Sequence, residues 1–148
     1  MCFTLFAGTT RPLPRRASGK SPADFPLTYL PVESLEESEL PVRTHFTKPE
    51  VQCIGSTTGC GCDFPSVAPQ NDWYHWEHPD IPEDPSDRFN REALVDLLKS
   101  SGDTTLELFA SWNGDPTVMV REEISLQTIL DREFRFKEQG FYIVRNAD

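Results

Sequence analysis

The run Cys53-Ile-Gly-Ser-Thr-Thr-Gly-Cys60-Gly-Cys62 places three of the chain's four cysteines within ten residues. Thiols so close together can chelate an ion, supply a reactive thiolate or fill space. Gly59 and Gly61 leave the backbone free to fold tightly and to bring amides near a thiolate. Cys60 and Cys62 are close enough to hold one ion jointly. If the first strand lies beside the strand over Glu50–Gly55, then Cys2, Cys53, Cys60 and Cys62 offer four thiolates. Those suit a tetrahedral zinc-type site or an iron–sulfur cluster. The spacing departs from the two C-x₂₋₄-C units usual in structural zinc sites. His75 and His78 follow Cys62 by 13 and 16 residues and give an alternative set, Cys60/Cys62/His75/His78. The competing reading makes Cys2 and Cys53 core residues and Cys60/Cys62 part of a tight turn.

Two further readings involve single cysteines. Removal of Met1 leaves Cys2 as an N-terminal nucleophile with its own amine as base. Against this, Phe3-Thr4-Leu5 stands where glutamine amidotransferases carry Gly-Ile, and the chain is short for their four-layered fold. A Cys/His pair of Cys60 or Cys62 with His45 has no support from spacing.

The second constellation is Asp72-Trp-Tyr-His-Trp-Glu-His78. Asp72, Trp73, Tyr74, Trp76 and Glu77 form a binding lip on the functional reading, a stacking surface with polar handles. On the bland reading the aromatics hold a proline-rich loop down on the sheet. This run lies in a strongly acidic stretch, since residues 49–87 hold eight Asp and Glu and no Lys or Arg. The net charge of −10 is thus concentrated in a local face suited to a basic protein partner through segment 63–87. Residues 1–20 carry four basic residues and no acid, and Arg11-Pro-Leu-Pro-Arg-Arg16 can grip an anion. The overall charge and the absence of a regular basic face argue against specific nucleic-acid binding. There is no P-loop, G-x-G-x-x-G, G-x-S-x-G or H-E-x-x-H motif. No apolar run reaches membrane-spanning length, and basic residues follow the apolar start instead of preceding it, unlike a signal peptide. A cytoplasmic location is expected, where disulfides are disfavoured.

Elements that position these residues follow from periodicity. Twelve of 13 prolines precede residue 86, so the N-terminal half should be irregular, with short strands and surface-hugging loops. Expected strands there are Met1–Ala7, a short edge segment at Leu27–Val32 and Glu50–Gly55, with Glu33–Glu39 an acidic loop or one helical turn. The main helix is expected over about 86–99, with Phe89, Ala93, Leu94, Leu97 and Leu98 on one face. Thr104–Trp112 alternates as a strand, Asn113–Gly114 marks a turn, and Thr117–Arg121 is the expected return strand. Ser125 caps a short second helix over about 125–130, and Phe141–Arg145 is the last strand. These elements predict an α+β fold, a mostly antiparallel sheet with one main helix, in a single domain over 1–148.

Met1-Cys2 before an apolar strand, Phe46-Thr-Lys-Pro49, Gly55-Ser-Thr-Thr-Gly-Cys-Gly-Cys-Asp-Phe64 and Leu106-Glu-Leu-Phe-Ala-Ser-Trp-Asn-Gly-Asp115 belong to one pattern. With Ile124-Ser-Leu126 and Phe134-Arg-Phe136, the chain resembles a group of small uncharacterised bacterial proteins. In that group Cys2 recurs with the Cys-Gly-Cys pair, while the position of Cys53 carries an aromatic. The resemblance implies a domain type and brings no activity. The balance favours a small acidic binding or regulatory protein over the alternative, a cysteine-dependent enzyme or redox protein using Cys60 or Cys62.

Overall fold

The computed structural model describes residues 3–17, 27, 29–57, 64–67 and 85–146. In chain order its elements are β1 (Phe3–Thr9), β2 (Val32–Ser34), a 3-10 helix (Glu37–His45), β3 (Glu50–Ile54), β4 (Ser66–Val67) and α1 (Pro85–Lys99). There follow β5 (Thr105–Trp112), β6 (Val120–Ser125), α2 (Leu126–Leu130), β7 (Phe136–Lys137) and β8 (Gly140–Arg145). Six strands form one sheet in the order β2-β3-β1-β5-β8-β6, and β4 and β7 make a separate two-residue parallel pair. The fold is α+β with a mostly antiparallel sheet and one main helix, as the periodicity predicts.

The central strands β1 and β5 are buried on both faces, which suits the apolar run of β1, whereas β5 alternates and carries Glu107 into the interior. On one face Leu5, Ala7, Ile54, Leu106, Leu108, Tyr142 and Val144 meet Leu94, Val95 and Leu98 of α1 and Leu126 and Ile129 of α2. On the other, Phe6, Val51, Phe109 and Phe141 are covered by Val42 of the 3-10 helix, with Leu35 and Phe46. This second cover exceeds the single turn expected at Glu33–Glu39. The helix starts behind a Glu36/Glu39 capping box and runs on through Pro41 to His45.

Two expectations are corrected. The segment after Asn113–Gly114 does not return as the partner of β5. Both turn residues do adopt positive φ, 57° and 72°. Yet β8 takes the place beside β5, and β6 lies outside it, parallel to β8. The apolar run Phe141-Tyr-Ile-Val is stabilised more by a two-sided buried position than Val-Arg-Glu-Glu-Ile would be, and the charged segment is left at the edge. The Gln139 side chain then pins the crossing chain. It accepts from Trp112 N (2.6 Å) and donates to the carbonyls of Asp115 (2.9 Å) and Thr117 (2.6 Å). In α1 the buried stripe is Asn90, Arg91, Leu94, Val95 and Leu98, while Phe89 is 45% exposed. Polar side chains thus occupy the first buried turn in place of the aromatic.

Gly8 and Glu107 face each other across β1 and β5 and explain how the 3-10 helix is tied down. A Cβ on Gly8 would lie 2.5 Å from Phe46 Cδ1, so only glycine admits that ring. Phe46 packs edge-on against Phe141, with 5.2 Å between centroids.

Candidate functional site

Ser56 and Thr57, the last described residues before the Gly–Cys segment 58–63, are buried. Phe64, the first after it, is buried in the core under α1. Their placement follows from β3. Leu5 of β1 pairs with Ile54, so Phe3 and Ser56 both lie two residues further toward the same end of the sheet. Phe3 directly follows Cys2 in sequence, and Ser56 and Thr57 lead into residues 58–63.

One side chain gathers this end. Asn90, fully buried on α1, accepts from Thr57 N at 3.1 Å through Oδ1. Its Nδ2 donates to the Ser86 carbonyl at 2.9 Å. Ser86 lies in the first turn of α1, immediately past residues 68–84. The Thr57 carbonyl accepts from Leu27 N at 2.7 Å, and Gly55 N donates to Pro31 O at 2.9 Å. Beyond residues 58–63, Pro65 O accepts from Phe136 N at 2.8 Å. The entry to residues 58–63 is thus tied to the first turns of α1, and the chain beyond them is tied to β7. In the sequence Asn90 reads as one of several polar residues at the start of an amphipathic helix, beside Arg91, and nothing there signals this clamp.

Cys2, Cys60, Cys62, His75 and His78 lie outside the described residues, as do Asp72, Trp73, Tyr74, Trp76 and Glu77. Cys53 is described. It sits on β3 opposite Phe6 and Glu33, half-buried, with its side chain on the face covered by the 3-10 helix. Burial, reinforced by Glu39, Glu33 and Glu36, pushes its thiol up from 9.0 to about 12. At pH 8 only about 10⁻⁴ of such a thiol is ionised. Alkylation followed by peptide mapping should leave Cys53 unmodified in the folded protein and label it after denaturation. Labelling of folded Cys53 at the rate of a free thiol would contradict this placement. The sign for stability also follows. Unfolded chain ionises this thiol above pH 9.0 while folded chain does not, so its contribution is full below pH 9.0 and declines toward pH 12.

His45 does not stand free as a catalytic base. Its Nε2 hydrogen-bonds the Pro116 carbonyl, and its ring lies 5.7 Å from that of Phe109. It ties the 3-10 helix to the crossing chain. Among the described residues, no three His, Cys, Asp or Glu side chains gather as an ion site. Among them, too, no helix is long and apolar enough to cross a membrane. Comparisons with family models, curated proteins and solved structures find no match to this chain.

Proposed function

We propose that the chain is a small acidic binding or regulatory protein whose cysteine-rich turn is held by a structural metal, zinc being the natural choice for thiolate ligands. On this reading the acidic segment 63–87 is the contact for a basic protein partner. The observation that carries it is the Asn90 clamp, which ties Thr57, before the cysteine segment, to Ser86, where the acidic segment enters α1. A segment tied to α1 at Thr57 and to β7 at Pro65 is a mount for a recognition surface. Cys2, Cys60 and Cys62 are the thiols assigned to the metal, with His75 and His78 as alternative ligands. Cys53, which packs beside Phe6 on the face covered by the 3-10 helix, is the least suited of the four.

Metal analysis of tag-free protein combined with thiol titration tests this. About one zinc per chain is expected, with Cys60 and Cys62 reacting only after a chelator is added. Metal content near zero, together with a thiolate reactive at neutral pH and lost in Cys62→Ser, would instead favour a cysteine-dependent enzyme or redox protein. The partner contact predicts affinity that falls steeply with salt. Salt-insensitive capture from lysate would count against the acidic segment as that contact.

A further inference from the structure

The two edges of the six-stranded sheet differ. At β2 the outward groups of Val32 are taken, because Val32 N donates to Arg16 O at 2.9 Å and Arg16 N donates to Val32 O at 3.1 Å. At the other edge, no described residue pairs with the outer side of β6. Val120 N points inward to Gln139 O, so by strand alternation the amides and carbonyls of Arg121 and Glu123 point outward, while Ser125 N turns to Thr128 Oγ1 at 3.4 Å as the cap of α2. Arg121 and Glu123 are exposed, and Met119, at the entry to the strand, is 65% exposed.

Charged residues on an edge normally oppose pairing with another strand. Here their order leaves one register favourable. Among antiparallel pairings of β6 with itself that match outward groups, a shift one way sets Arg121 against Arg121, and the other way Glu123 against Glu123. Centred on Glu122, the pairing sets Arg121 of each copy against Glu123 of the other. It also sets Val120 against Ile124 on the face toward α1 and α2. The two central Glu122 carboxylates approach, but each is already paired with its own Lys137 Nζ at 3.0 Å. Glu123 is backed by Arg145 at 3.2 Å, so Arg145, Glu123 and Arg121 of the second copy alternate in sign across the junction.

We propose that β6 pairs antiparallel with β6 of a second copy of this chain, about a two-fold axis through Glu122, joining two six-stranded sheets into one. The occupant is fixed by charge complementarity that the strand has for itself. The pairing is isologous, as two-fold dimers require.

Sedimentation of the full chain at about 0.15 M salt, where repulsion between two acidic copies is screened, tests this. A concentration-dependent dimer is expected. Arg121→Glu makes an all-acidic edge and Glu123→Arg removes its acidic partner, and each should weaken self-association by about tenfold or more. Both positions are exposed, and circular dichroism checks that each variant remains folded. An equimolar mixture of the two variants should recover the dimer, because each then meets its complement. A wild-type chain that stays monomeric, single variants that associate like wild type, or a mixture that stays monomeric would each overturn the proposal.

Discussion

Arg91→Met should destabilise the fold by about 3–4 kcal/mol, lowering the thermal midpoint by about 10 °C. Arg91 is 3% exposed on α1, and its guanidinium donates to four backbone carbonyls. Nη1 reaches Ile129 O at 3.1 Å and Asp131 O at 2.7 Å, and Nη2 reaches Arg132 O at 3.0 Å and Phe134 O at 2.8 Å. These carbonyls belong to the end of α2 and the loop beyond it. A five-residue helix has little stability of its own, and its last carbonyls lack intrahelical donors. Ser125 and Thr128 cap its start reciprocally, so Arg91 serves the opposite end. Methionine preserves the buried stem but leaves those oxygens without their donor. Arg91→Lys should fall between, since a compact ammonium cannot span four acceptors set out for a planar fork. Urea unfolding measures both. A loss below about 1 kcal/mol for Arg91→Met would mean that water replaces the guanidinium readily.

Glu107→Ala should cost about 3 kcal/mol and loosen one layer of the molecule before the rest. Glu107 is 2% exposed on a central strand. Its Oε1 accepts from Thr47 N and Lys48 N, each at 2.9 Å, and its Oε2 accepts from Thr47 Oγ1 at 2.9 Å. Charge-assisted acceptance by a carboxylate is stronger than a neutral bond, so the strap 47–48 is fastened chiefly here. Glu107→Gln should lose less, because one oxygen remains, although its amide group then faces donors. Hydrogen exchange at Thr47 and Lys48 should speed up in Glu107→Ala more than exchange in β5. Equal acceleration of both would show that the 3-10 layer does not open independently.

Both side chains bear on what was legible in advance. Glu107 alternates with Leu106 and Leu108, so from sequence it belongs on a solvent face. Only the 3-10 helix, docked through Phe46 against Gly8, turns that face into an interior. Arg91 sits among charged neighbours in α1 and reads as a surface residue until α2 folds across it. Phe89 shows the converse, an aromatic in the expected stripe that is left outside because Asn90 takes the buried turn. Cys53 reads from the sequence either as a ligand or as a core residue, and strand alternation places it on the face covered by the 3-10 helix, beside Phe6.

The amino-acid sequence by itself determined the element types: the amphipathic helix before Gly102, the alternating strand up to Trp112, the Ser125 cap and the final apolar strand. Each is a local matter, decided by side-chain period and by capping groups within a few residues. The local concentration of acid in residues 49–87 was equally plain. Tertiary structure alone decided the order of strands, the second cover on the sheet and the clamp at Asn90. Those depend on competition between distant segments for buried positions. The gain from burying Phe141–Val144 on both faces outweighs the local preference of Asn113–Gly114 for a hairpin, and among the described residues Arg121 and Glu123 are left at the sheet edge as the consequence.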